Sequence, residues 1–182
     1  MEPKAVIALM ILVAVVIIAV MVAFFRARRS RRLQERFGPE YDRTVHYRGN
    51  ASRAEADLLN RERRVQSFSI KALTPAAREQ FAEEWAATQR RFVDDPALAV
   101  TEADALVNRV MVARGYPMTD FEQRAADVSV AYPDVVQNYR SARAIAIRHA
   151  RGEAGTEDLR EAMVYYRSLL IELLDVPKSF AA

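Results

Sequence analysis

The segment AVIALMILVAVVIIAVMVAFF, Ala5 to Phe25, is 21 consecutive apolar residues without a charge or a proline. A helix rises 1.5 Å per residue, so about 20 residues cross a hydrocarbon layer roughly 30 Å thick. The run has no polar face with which a half-buried helix could meet water. A cleaved leader carries an apolar stretch of roughly 7–15 residues and then a small-residue cleavage site. This run is longer and ends in Phe24-Phe25-Arg26. The expectation is an uncleaved single-pass transmembrane helix over 5–25, preceded by a short flank, 1–4.

Immediately after it comes RARRSRR, with Arg26, Arg28, Arg29, Arg31 and Arg32. Basic flanks stay on the cytoplasmic side. The opposite flank, MEPK, offers only Lys4 and the terminal amine. The pattern predicts an N-terminus outside and the bulk of the chain in the cytoplasm, with 26–37 as a basic juxtamembrane extension of the helix. The same five arginines attract anionic lipid head groups, each contributing about 1 kcal/mol near the surface. They abut a membrane span and lack interleaved aromatics, so they are read as topology and lipid contacts, and no nucleic-acid partner is expected.

That cluster also accounts for the basic isoelectric point of about 9.4. Of 27 Lys and Arg and 24 Asp and Glu, residues 1–32 hold six bases and one acid, which leaves 21 bases and 23 acids for residues 33–182. The soluble part is therefore slightly acidic, and the whole-chain charge says nothing in favour of DNA. The absence of cysteine excludes disulfides, thiolate metal sites and a cysteine nucleophile. Five glycines and seven prolines are few, as in a helical protein.

Beyond the anchor the chain reads as all-α, a multi-helix bundle of about five or six helices. Gly38 stops the juxtamembrane helix and Pro39 starts a short one, which Gly49-Asn50 ends. Ser52 and Glu55 have capping-box spacing and open a helix to about Gln66. SFSIKAL, 67–73, is an extended connector. Residues 38–73 thus form a polar helical arm with a connector, and 74–176 the bundle domain, followed by a tail, 177–182. Thr74 caps a helix with Pro75 at its first position, and Phe81, Trp85, Thr88 and Phe92 line one face. Asp95 caps the next, whose face carries Leu98, Ala99, Ala103, Leu106, Val110 and Ala113. After Pro133, Val135, Val136, Tyr139, Ala142 and Ala146 continue a core face. Thr156 caps the last helix, with Leu159, Met163, Tyr166, Leu170 and Leu173 as its buried stripe.

RGYPMTDFEQRAADVSVAYP, 114–133, draws attention because it concentrates Arg, Tyr-Pro pairs and carboxylates. Most of it has a structural reading. Arg114-Gly115 closes a helix, with the arginine favoured by the negative end of that helix. Pro117 and Pro133 turn Tyr116 and Tyr132 away from helix. Thr119 and Glu122 make a second capping box, Phe121, Ala125 and Val128 form a narrow apolar face, and Asp120 can pair with Arg124. A joint between helices is favoured over a site. Five residues lack such a reading and form the candidate interaction surface: Tyr116, Gln123, Arg124, Asp127 and Tyr132.

Catalytic chemistry finds little support. The two histidines, His46 and His149, belong to no Glu-x-x-His pair of the di-iron bundle type. Phosphate-binding glycine loops and a Gly-x-Ser-x-Gly elbow are absent. No enzyme, cofactor or metal is expected.

The phrases ERFGPEYDRTV (35–45), RFVDDP (91–96), RGYP (114–117) and DFEQRAADVSVAYPDVV (120–136), behind one span, resemble a group of small bacterial single-pass membrane proteins labelled uncharacterised. The resemblance covers nearly the whole chain. It implies a bacterial source and a single anchor, and it carries no activity, cofactor or site residue.

Two function classes follow. The first is a membrane-anchored cytoplasmic interaction or scaffold module whose partners are the bilayer and either another protein or a second copy of itself. The alternative is a small-ligand-binding or enzymatic bundle, with a cavity lined by Trp85, Tyr116, Tyr132, Tyr139 and Tyr166. A third and weaker option is an exported domain, for which the arginine flank would have to fail as a topology signal.

Overall fold

The computed structural model describes the chain from Pro3 to Asp175, with side chains from Met10 onward. The expected tail, 177–182, and the first two residues of the flank lie outside the described residues. Among those described, eight helices and no strands occur, in the order α1 (Pro3–Phe37), α2 (Pro39–Arg48), α3 (Ala51–Gln66), α4 (Pro75–Arg91), α5 (Pro96–Ala113), α6 (Phe121–Val128), α7 (Val136–Ala150) and α8 (Thr156–Leu174). The all-α expectation holds. The count of five or six after the anchor is too low, since seven follow α1. The ten-residue α2 and eight-residue α6 are too short to be stable alone, and packing keeps them as separate elements.

Among the described residues α1 is the one helix long and apolar enough to cross a membrane. Its stretch Met10–Phe37 includes an 18-residue window of mean hydropathy 2.8, none of which is buried. The helix does not stop at the arginines. It runs on for twelve residues past Phe25, about 18 Å, and buries Leu33 and Phe37 completely against Tyr41, Leu58, Val65 and Val130. Each such burial contributes roughly 1.5–3 kcal/mol. The arm expected to be polar thus has a small core of its own, built on the end of α1.

Gly38, at a φ of 46°, turns the chain so that α2 folds back. Asn50, rather than Ser52, caps α3: its Oδ1 accepts from the amides of Ser52 at 2.8 Å and Arg53 at 3.3 Å. Glu55 is freed from capping and instead accepts from the Ser30 hydroxyl at 2.6 Å and the Tyr41 hydroxyl at 3.2 Å. Arg36 pairs with Glu62 at 3.0 Å. The partners Arg29–Glu55 and Arg36–Glu62 are both seven residues apart along α1 and α3, so the two helices run parallel and in step.

The main core joins α4, α5, α7 and α8 through Trp85, Leu106, Val110, Tyr139, Tyr166, Leu170 and Leu173, among others. Thr74 and Asp95 cap α4 and α5 as expected. Thr156 does not cap α8. It is the first helical residue, and the Asp158 carboxylate accepts from the Gly155 amide at 2.9 Å. The extended connector after α3 serves both cores, since Phe68 and Ile70 pack against each of them.

Candidate functional site

The two cores meet at a set of buried charges. Glu40 stands in the first turn of α2, where the helix dipole favours an anion. It is only 2% exposed. Arg140 of α7 donates to it twice, Nη1 to Oε2 at 2.7 Å and Nη2 to Oε1 at 3.0 Å. Arg61 of α3 donates Nη1 to Oε1 at 2.7 Å, and Arg43 lies 3.7 Å from the same oxygen. Three guanidiniums from three helices therefore converge on one carboxylate. Burial pulls the pKa of Arg140 below the ordinary arginine value, and the hydrogen bonds and charge of Glu40 oppose that shift. Arginine's intrinsic pKa is high enough that the group stays cationic.

A second arm of the joint lies one helical turn further along α3. Arg64 pairs with Asp127 of α6 at 3.1 Å, and Gln123 donates Nε2 to Asp127 Oδ1 at 2.9 Å. Asp127 is 1% exposed. Burial raises its pKa above the usual aspartate value, opposed by Gln123 and then by Arg64. Arg61 also reaches the Ser129 hydroxyl at 3.4 Å, and Val130 enters the smaller core.

The stretch 114–133 is where these contacts concentrate, but its residues do different work from that read in the sequence. Tyr116 and Tyr132 are buried in the main core. Tyr116 stacks edge-on against Phe68, and the Arg114 guanidinium lies over Tyr132. Burial raises the pKa of both phenols. Arg114 is fully buried and donates Nη1 to the carbonyls of Leu173 at 2.6 Å and Asp175 at 3.0 Å. It thus satisfies the C-terminal end of α8, not that of its own helix. Asp120, rather than Thr119, caps α6 through the Gln123 amide at 3.0 Å. With that carboxylate engaged, Arg124 donates to the Thr119 carbonyl at 3.0 Å instead.

The five candidates of the interaction surface consequently do not share an exposed face. Tyr116, Asp127 and Tyr132 are inside, Gln123 and Arg124 partly outside. The tyrosine rings carry large apolar area into the core, and Arg64 holds the aspartate in.

Above Glu40 and Arg140 the surface opens into a cleft of about 490 Å³. Arg43, Tyr47 and Arg48 of α2 and Asp57 and Arg61 of α3 form one wall. Asp120, Glu122, Gln123 and Ala126 around α6 form the other, with Arg140 at the base. Seven of these ten residues are charged, so the cleft differs from the mostly apolar, enclosed pocket that buries a small organic ligand. Its charges are largely paired: Asp57 accepts from Arg61 at 2.9 Å and lies 3.2 Å from Arg48. Tyr47, at the edge, is 76% exposed.

The aromatic residues considered as a cavity lining, Trp85, Tyr116, Tyr132, Tyr139 and Tyr166, pack into the main core itself. Two of them anchor polar contacts: Tyr166 donates to Asp104 at 3.0 Å and Tyr139 to Asn108 at 3.3 Å. Burial pushes the Tyr139 phenol up to about 12. Among the described residues no three Asp, Glu or His side chains are grouped to hold a metal ion.

Glu40, Arg61 and Arg140 are the central residues that the sequence reading missed. Glu40 had one signal, an acid directly after an initiating proline. Nothing local marks Arg140 as its partner, one hundred positions away. Comparison with family models, curated proteins and solved structures finds no match to the chain.

Proposed function

We propose that this protein is a membrane-anchored helical interaction module of a bacterial cell membrane, with its N-terminus outside and its helical domain in the cytoplasm. The observation that carries this reading is the position of the charged cleft. It lies at the joint between the unit built on the anchor helix and the main core, with one wall from α2 and α3, the other from α6, and Arg140 of α7 at its base. Leu33 and Phe37 tie the anchor helix into the domain without a flexible linker. A segment bound in the cleft would therefore be held at a set distance from the bilayer. Open, mixed-charge walls with an exposed tyrosine suit a polar protein segment, from another protein or from a second copy of the chain.

The test is site-specific photocrosslinking of the full-length protein in native membranes. A photoreactive residue at Gln123, in the cleft, is compared with one at Val93, exposed and remote from it. The reading predicts a discrete adduct, with itself or with one partner, from Gln123 only. Equal yields from both positions would remove the cleft as the docking site.

A further inference from the structure

A second cavity, of about 450 Å³, lies between α1 and the start of α3. Its lining is Arg26, Ala27, Arg29, Ser30, Ser52 and Glu55. Its depth follows from helix geometry. With Ala5–Phe25 in hydrocarbon, Arg26 stands about 1.5 Å and Ser30 about 7.5 Å beyond the apolar boundary. The polar headgroup layer on each side of a bilayer is roughly 5–7 Å deep. α3 runs in step with α1, so Ser52, three residues before Glu55, returns to the level of Arg26. The cavity therefore spans the headgroup layer.

The charges in the cavity are of both signs. Arg29 is 48% exposed and lies 3.9 Å from Glu55 Oε2, too far for a hydrogen bond, so it is free to turn towards a ligand. Glu55 is 14% exposed on its side chain. Its Oε1 is occupied by the Ser30 and Tyr41 hydroxyls, which fix the carboxylate in place. Among the described residues its Oε2 meets only the distant Arg29. Arg28 is turned to a different neighbour, the Phe24 ring, at 4.7 Å. The basic belt is thus not uniform around the helix, and one side of it contains a fixed anion.

We propose that this cavity seats the headgroup of an aminophospholipid. The phosphodiester sits between Arg26 and Arg29, with the Ser52 hydroxyl as a further donor. The primary ammonium donates to Glu55 Oε2. A glycerol headgroup brings no cation for Glu55. A choline headgroup brings a cation without an N–H to donate. The proposal rests on the membrane-anchored reading above and adds a lipid class and a site to it.

The experiment reconstitutes the full-length protein into nanodiscs of equal parts phosphatidylethanolamine, phosphatidylcholine and phosphatidylglycerol. Lipids retained after gentle release are counted by native mass spectrometry. The wild type is expected to retain phosphatidylethanolamine over each of the others by about tenfold, the scale of one charge-assisted hydrogen bond. Glu55→Gln can still accept from Ser30 and Tyr41, and it should abolish the preference over phosphatidylcholine. Arg26→Gln with Arg29→Gln, at exposed positions, should weaken retention of every phospholipid. Equal retention of all three lipids, or a phosphatidylethanolamine preference unchanged in Glu55→Gln, would overturn the seat. A preference for phosphatidylglycerol would reduce the cavity to part of a general basic belt. Failure of the anchored reading itself is distinct, because the protein would then not enter nanodiscs and would leave native membranes on alkaline extraction.

Discussion

Glu40 and Arg140, one hundred residues apart, form a two-pronged ion pair with contacts of 2.7 and 3.0 Å, largely buried at the base of the charged cleft. It fastens α2, and through it the end of α1, to α7. Removing one member of a buried pair strands the other, which costs about 3–5 kcal/mol, whereas replacing both by apolar residues is often near neutral. Glu40→Ala should therefore destabilise the detergent-solubilised full-length protein by about that amount, and Glu40→Leu with Arg140→Met by less, since Arg61 keeps its pair with Asp57 at 2.9 Å. Urea unfolding of the two variants and the wild type checks this. A double variant as unstable as the single one would show that the pair is not the unit.

Asp127 gives the joint a pH dependence. Its pKa is raised in the fold, chiefly by burial. An unfolded aspartate titrates near about 3.9. Between that value and the higher native one the folded state binds more protons, so the Asp127 contribution to stability falls as pH rises through the window. Asp127→Asn lacks this contribution. The stability of the wild type relative to Asp127→Asn should decline with rising pH and level off once the native group is ionised. Paired denaturation curves across the window measure it. A relative stability that climbs with pH would mean that the ion pair to Arg64 outweighs burial.

Gly115 has a φ of 92°, and a Cβ there would come within 2.4 Å of the Ser69 carbonyl oxygen. The neighbouring strap is fixed by the Lys71 amide, which donates to the Arg114 carbonyl at 2.9 Å. Gly115→Ala must bear both left-handed strain and a backbone collision, about 2–4 kcal/mol in all. Gly152, at a φ of 75°, has nothing within 4 Å of such a Cβ, so Gly152→Ala bears strain alone, about 1 kcal/mol. Thermal unfolding midpoints should rank wild type, Gly152→Ala and Gly115→Ala in that order. Equal losses would mean that the strap moves aside freely.

Arg28, Arg29, Arg31 and Arg32 changed together to Glu should disturb membrane orientation, because the charge bias across the span would disappear. A C-terminal reporter active only outside the cytoplasm reads this directly. It should be silent on the wild type and gain activity on the variant. Activity on the wild type would refute the proposed orientation.

Much of the local structure was legible in advance because its causes are local. Gly38, Gly49, Gly115 and Gly152 all take positive φ where a helix or turn ends. Thr74-Pro75 and Asp95-Pro96 begin helices as their chemistry requires. The stripe Leu159, Met163, Tyr166, Leu170 and Leu173 is buried as its spacing implies. Where a competing cap stood one or two positions away, local chemistry chose less clearly. Asn50 took the place of Ser52, and Asp120 that of Thr119.

Arg114 shows where local reasoning ends. Its affinity for a helix C-terminus was correctly read, but the terminus it serves is that of α8. The sequence alone determined the all-helical class, most helix ends to within a residue or two, and the long apolar helix, because periodicity, capping and left-handed glycines act within a few residues. The tertiary structure alone decided that Leu33 and Phe37 are core residues, that Glu40 gathers three arginines, and that Tyr116 and Tyr132 are buried. Burial and charge pairing act through space between distant segments, and a carboxylate's partner is whichever cation the packing leaves within about 3 Å of it.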